Sequence, residues 1–301
     1  MSHIFDALQR SEAERSGGES SLTEPSTFSV ATELLQIAER KRRSAATGNI
    51  ATPSSAEVLD QFPSLPVSIR PDSRLVSVGE EESLGAEKFR FLAVRLRQLR
   101  QSRPLKKVLI TSTIPQEGKS TVAANLACTL ARRKQHKTLL IEGDLRRPTV
   151  AQKFGLGRVP GLSERLRGES QSPNVYRLEA LGLWVLPAGS APENPLELMQ
   201  SGHLSPLMEE LTAWFDWIII DSPPVLPLAD TSIWARLADG VLLVTRKSIT
   251  EKQQLQRGLA ALEPGKLLGA LVNGSTDAAH SDYYQRYGPA ASSPESPHSK
   301  K

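Results

Sequence analysis

Cysteine is nearly missing: Cys128 is the only one in 301 residues. An internal disulfide is therefore impossible, and a disulfide-stapled secreted fold is excluded. No apolar run approaches the roughly 18 residues that a membrane helix needs. The opening residues, Met1 to Asp6, show neither the basic nor the apolar region of a secretory leader. Charge of one sign is also lacking. With 37 Lys+Arg against 33 Asp+Glu, the net charge of +4 gives no electrostatic case for a nucleic-acid partner. Aromatics are few: 7 Phe, 4 Trp and 4 Tyr. These absences together point to a soluble, cytoplasmic protein with no nucleic-acid partner. What remains, 39% hydrophobic residues, is enough for one core but not for a core running through the whole chain.

Composition divides the chain in three. Residues 1–74 are rich in Ser, Thr and Glu, with Phe5, Phe28 and Phe62 as their only aromatics. Such a segment buries too little to offset chain entropy and is expected to be mostly disordered, with short helices around Ile4–Leu8 and Leu34–Ala38. Pro53, Pro63, Pro66 and Pro71 read as linker. Residues 275–301 form a flexible tail of Ser, Pro and Ala that carries Tyr283, Tyr284 and Tyr287. Between them, residues 75–274 alternate short apolar runs with helical spacing. The runs Lys107–Thr111, Thr138–Ile141, Leu183–Leu186, Trp217–Ile220, Val241–Thr245 and Leu267–Val272 are apolar on both faces, as buried parallel strands are. The fold class is α/β, a mostly parallel sheet with helices on both faces.

Three segments carry chemistry. Thr113-Ile114-Pro115-Gln116-Glu117-Gly118-Lys119-Ser120 follows a strand and opens a helix, the setting of a phosphate-binding P-loop. Backbone N–H groups from Gln116 to Thr121 would cradle phosphate, Lys119 would meet the β- and γ-phosphates, and the Ser120 hydroxyl would bind Mg²⁺. Trp217-Ile218-Ile219-Ile220-Asp221 places an acid at the tip of a buried strand, where a Walker B carboxylate holds the metal. Leu139-Leu140-Ile141-Glu142-Gly143-Asp144-Leu145-Arg146-Arg147-Pro148 ends a second strand in acids, giving a metal ligand and a proton acceptor beside one P-loop. Cys128, Trp214, Trp217 and Trp234 read as core, and the five His show no metal-ligand spacing.

In this order the three segments resemble the bacterial protein-tyrosine kinase (BY-kinase) family of capsule and exopolysaccharide synthesis. Leu186-Pro187-Ala188-Gly189, Asn194-Pro195-Leu196-Glu197-Leu198 and Leu237-Ala238-Asp239-Gly240 extend the resemblance, which runs from about residue 84 to 274. It implies a P-loop NTPase fold, Mg-ATP, and transfer of phosphate to tyrosine. By the same resemblance Lys119, Asp144 and Asp221 are catalytic; Ser120, Asp144 and Asp221 hold the metal; and Tyr283, Tyr284 and Tyr287 are the phosphoacceptors. The implied partner is the cytoplasmic segment of a membrane polysaccharide co-polymerase, with recruitment to the inner face of the membrane and room for a homo-oligomer.

Three positions depart from the family pattern. Gln116 stands where the family has Gly, so a different approach of the loop to phosphate is expected. Glu142 replaces the first Asp of the second acidic motif, and its longer side chain is expected to shift a metal or base contact. In the oligomerisation motif Glu87 and Arg90 fit, but Ala93 takes the third place, which argues against ring assembly. Two other readings stand beside the kinase: a partitioning-type ATPase, opposed by Ile114 in the slot of that group's signature Lys, and a non-catalytic nucleotide-binding regulator of the co-polymerase. Eight basic residues without an acid between Lys88 and Gln116 read first as the solvated face of a helix packed on the sheet.

Overall fold

A computed structural model of the chain describes residues 55–274 apart from 80, 81 and 134. The helices expected around Leu8 and Leu35, and the tail tyrosines Tyr283, Tyr284 and Tyr287, lie outside the described residues. The apolar runs form strands β1 (Lys107–Ser112), β2 (Thr138–Glu142), β4 (Leu183–Leu186), β5 (Trp217–Asp221), β6 (Gly240–Arg246) and β7 (Leu267–Asn273). A seventh strand, β3 (Tyr176–Leu178), was not foreseen. The sheet order is β3-β4-β2-β5-β1-β6-β7, with only β3 antiparallel.

The helices are α1 (Ser55–Asp60), α2 (Val76–Gly79), α3 (Leu84–Ser102), α4 (Lys119–Ala131), α5 (Val150–Lys153), α6 (Leu162–Leu166), α7 (Pro195–Met199), α8 (Leu204–Trp214), α9 (Asp230–Leu237) and α10 (Lys252–Ala260). Strand residues alternate between two cores. Val108, Ile110, Leu140 and Ile219 meet α3 and α4 on one face. Leu109, Leu139, Ile141 and Ile220 meet α8 and α9 on the other. Each such side chain, once fully buried, contributes about 1.5–3 kcal/mol. The continuous apolar runs thus reflect a sheet covered on both sides.

Residues 55–74, which fall in the segment expected to be mostly disordered, pack on the domain. Leu59 is buried in the core that meets α8 and α9, and Leu65, Val67 and Ile69 lie at alternate positions against the opposite core. Backbone bonds fix the strap: Leu65 N–H donates to Arg177 O at 3.0 Å, and Ser68 N–H to Phe154 O at 3.0 Å. The prolines limit conformational freedom here without preventing an extended course.

The two edges of the sheet differ in chemistry. At the amino edge Asp239 accepts from the Lys106 and Lys107 amides at 2.9 and 2.8 Å and pairs with Lys107 Nζ at 3.2 Å. Asp239 is therefore a structural staple, far from the phosphate loop. The carboxyl edge carries the P-loop and the two acidic tips.

Candidate active site

The P-loop runs from the end of β1 into α4, and its shape depends on one glycine. Gly118 has φ 91, and a Cβ there would stand 2.2 Å from Asn273 Nδ2. Only glycine meets both conditions. Glu117 is fully buried and ties the loop down from inside. Its carboxylate accepts from the Ile114 amide at 2.8 Å and from the Thr250 hydroxyl, so its side chain is engaged inside the loop. Gln116 adopts a left-handed conformation, with φ 67, and its carbonyl accepts from Arg246 Nη1 at 3.2 Å. The residue is exposed at the tip of the loop.

The three catalytic candidates converge. Lys119 Nζ lies 2.8 Å from Asp144 Oδ2 and 3.3 Å from Ser120 Oγ. Burial opposes the ammonium, but the charges of Asp221, Asp144 and Glu142 outweigh it and hold the Lys119 pKa above its ordinary value. Asp144 receives the Arg147 amide at 3.0 Å on its other oxygen. Asp221 is fully buried, and neither of its oxygens has a donor in hydrogen-bonding geometry. Burial pushes its pKa up to about 6, against the pull of Lys119 and the nearby Ser120 hydroxyl. A buried carboxylate without a donor is costly unless something compensates it. A divalent cation beside Ser120 would do so, and this is the observation by which Mg²⁺ fits the site. Mg²⁺ characteristically takes one or two carboxylates and completes its shell with water and substrate phosphate. Accordingly, no ready-made cluster of three metal-binding side chains occurs among the described residues.

Glu142, at the tip of β2, is engaged with the backbone. Its two oxygens accept from the Val150 amide at 2.5 Å and the Ala188 amide at 3.0 Å. It thereby staples the start of α5 and the loop after β4 to the tip of β2. Burial drives its pKa up to about 7 despite those two donors. Trp234, read from the sequence as core, is indeed fully buried but also serves the site: its Nε1–H donates to Gly143 O at 3.1 Å. A Cβ on Gly143 would stand 2.7 Å from the Trp234 ring and 2.9 Å from Asp221 O. Arg146 fixes the same loop to α9 through a two-pronged pair with Asp230 at 2.7 and 3.2 Å.

A cavity of about 370 Å³ opens over the P-loop, lined by Lys119, Ser120 and Asp144 together with Arg74, Lys153 and Arg246. The last three were missed by sequence reasoning. Arg246 ends β6 at the carboxyl edge, where ligands of open α/β sheets bind, so topology alone could have singled it out. Arg74 and Lys153 carry no such signal.

No protein-family model matches the sequence. Individual relatives do. The chain is 39% identical over 217 residues to tyrosine-protein kinase YwqD of Bacillus subtilis, covering 71% of this chain and 91% of that protein. The chain belongs to the bacterial tyrosine-protein kinases. Tyrosine-protein kinase CpsD of Streptococcus pneumoniae is 36% identical over 173 residues, covering 56% of this kinase chain and 76% of its own. The solved kinase domain of the Escherichia coli tyrosine kinase ETK matches with a TM-score of 0.64 at 28% identity, covering 68% of this chain and 81% of that one. In the α3 motif of this kinase Arg90 pairs with Glu87 at 2.7 Å, while Ala93 is wholly buried and faces the core.

Proposed function

We propose that the chain is an ATP-dependent protein-tyrosine autokinase that regulates exopolysaccharide or capsule synthesis and export. The observation that carries this reading is the placement of Lys119 between Asp144 and a buried, donor-less Asp221, in a chain of the tyrosine-kinase family. The amides of residues 116–121 hold the phosphates, and Lys119 takes the charge that grows on the transferring group. Ser120, Asp221 and Asp144 would hold Mg²⁺, which when bound neutralises phosphate charge. Lys119 has to exchange Asp144 for phosphate when nucleotide enters. That exchange would free the Asp144 carboxylate to help hold Mg²⁺ or to accept the tyrosine proton. The acceptors are Tyr283, Tyr284 and Tyr287 of a neighbouring copy.

The family also supports a partner: the cytoplasmic segment of a membrane polysaccharide co-polymerase, met at the inner face of the membrane. Among the described residues no helix is long and apolar enough to cross a membrane. The test uses the full chain with Mg-ATP and maps phosphate by mass spectrometry. Phosphate should fall on the tail, and Tyr→Phe at positions 283, 284 and 287 should remove most of it without changing ATP affinity. Tyr176 is buried, with its hydroxyl on Pro160 O at 3.0 Å, and should stay unmodified. A wild-type protein that binds ATP yet modifies no tyrosine would instead be the non-catalytic regulator.

A further inference from the structure

Arg74 stands at the junction of two cavities. One is the phosphate cavity of about 370 Å³ over Lys119 and Ser120. The other, of about 270 Å³, is lined by Val76, Phe89 and Val122 among others. Arg74, Gly118, Thr121 and Arg246 border both. A nucleotide with its phosphates on the P-loop and its nucleoside in the second cavity would run past these four residues. Arg246 already donates to Gln116 O. Arg74 has no carboxylate partner among the described residues; its near neighbour Asp72 pairs with Arg70 at 3.4 Å.

The backbone at Arg74 is built to hold that position. It is left-handed, with φ 57 and ψ 37, which is unfavourable for a residue with a Cβ. Asn125 secures it: Nδ2 donates to Arg74 O at 2.9 Å, and Oδ1 accepts from the Ser77 amide at 2.9 Å. Thr129 donates to Ser77 Oγ at 3.0 Å, and Arg132 to Ser77 O at 2.7 Å. Asn125 and Thr129 lie a helical turn apart on α4, and Arg132 follows at its C-terminal cap, so the helix that begins in the P-loop also carries the strap bearing Arg74.

Charge gives the reason for a ligand. Lys153 Nζ donates to Ser73 O at 3.2 Å, which brings a second cation to the same mouth. Burial lowers its pKa first; the charge of Asp221 opposes the change, and that of Arg74 adds to it. Like charges gathered at one opening repel until an anion enters.

Resting on the nucleotide reading above, we propose that Arg74 contacts the phosphates of the bound nucleotide, as a cation supplied by the segment ahead of α3. The test is the affinity of the full chain for a fluorescent ATP analogue with Mg²⁺, measured beside the melting temperature. Arg74→Gly removes the guanidinium and suits the left-handed backbone. It should weaken binding 10-fold or more with the melting temperature unchanged or raised, and Arg74→Lys should recover part of the affinity. Unchanged affinity in Arg74→Gly overturns the proposal. So does a loss accompanied by a lower melting temperature that Arg74→Lys fails to reduce, since the residue would then be structural. A wild type that binds no analogue, or a Lys119→Met protein that binds equally well, defeats the nucleotide reading itself and this inference with it. A wild type that binds, a Lys119→Met protein that does not, and an unaffected Arg74→Gly protein defeat this inference alone.

Discussion

Glu142 and Asp221 are direct neighbours in register at the tips of β2 and β5, and both are fully buried. Glu142 has a backbone amide on each oxygen, whereas Asp221 has no amide on either and only the Ser120 hydroxyl nearby. Burial raises both pKa values, to about 7 and about 6. Neither burial nor titration separates the two, but hydrogen-bond satisfaction does. A saturated carboxylate is holding the protein together. A bare one is expensive in the empty protein and becomes favourable only when a cation arrives. The same contrast sets Asp239 at the amino edge, stapled to two amides, against Asp221 at the carboxyl edge.

The largest expected effect comes from removing the cation between the acids. Lys119→Met should lower phosphoryl transfer by on the order of 10²-fold or more and weaken nucleotide binding, since charge stabilisation dominates this chemistry. The fold should persist, as Lys119 makes its contacts with Asp144 and Ser120 inside the site. Autophosphorylation and circular dichroism on the same sample check this. Retained activity in a folded variant would remove Lys119 from the mechanism.

Next in size, the two tips should respond to substitution with opposite signs. Asp221→Asn should cost roughly 10²-fold in Mg²⁺-dependent activity, yet its melting temperature at pH 8 should equal or exceed that of the parent. Glu142→Asp keeps the charge but is one methylene short of bridging Val150 and Ala188. An amide left orphaned in the core costs about 1–3 kcal/mol, so this variant should melt lower although it restores the residue usual in the family. If Asp221→Asn melted lower and Glu142→Asp did not, the contrast between the two tips would be wrong.

Titration sharpens the same comparison. Both carboxyls bind a proton more readily in the folded chain than in the unfolded one. Their stabilising contribution is therefore full below the ordinary carboxyl range and is lost as pH rises through about 6 for Asp221 and about 7 for Glu142. For Asp221 the change from 3.8 to about 6 corresponds to about 3 kcal/mol. These two groups should make the nucleotide-free protein melt lower at about pH 6.5 than at about pH 4.5, the interval over which the Asp221 contribution is lost. Asp221→Asn, or Mg-nucleotide, should flatten that slope, and an equally steep slope in the variant would assign the proton elsewhere.

Much of this was legible in the sequence, for identifiable reasons. Six strands showed as apolar runs because both faces of the sheet are covered. β3 did not, being three residues long with Arg177 at its centre. The strap at 55–74 was hidden by its prolines, although the alternation of Leu65, Val67 and Ile69 was there to be read. Spacing placed Lys119, Asp144 and Asp221 at one edge, because P-loop and strand tips share that edge in any parallel sheet. Spacing says nothing of which way a tip carboxylate turns, so the division of labour between Glu142 and Asp221 needed the fold. Arg74 and Lys153 needed it too, since each reaches the site from a segment without a motif.

The smallest expected effect concerns Gln116, and it asks whether the loop works through backbone or side chain. Gln116 holds φ 67, and its side chain faces solvent while its carbonyl is tied to Arg246. Gln116→Gly removes a left-handed strain of about 1–2 kcal/mol. It also frees the unfolded chain, which offsets about 0.4–1 kcal/mol of that gain. Stability should therefore rise by between zero and about 1.6 kcal/mol, seen as a small upward shift in denaturant midpoint. If phosphate is met by amides, as proposed, both residues supply one, and nucleotide affinity should stay within about twofold. Lys119→Met and Gln116→Gly, three residues apart in one loop, would then mark the extremes of sensitivity. A tenfold change in affinity on Gln116→Gly would instead mean that the glutamine side chain reaches the nucleotide and that this loop has replaced a glycine with a contact.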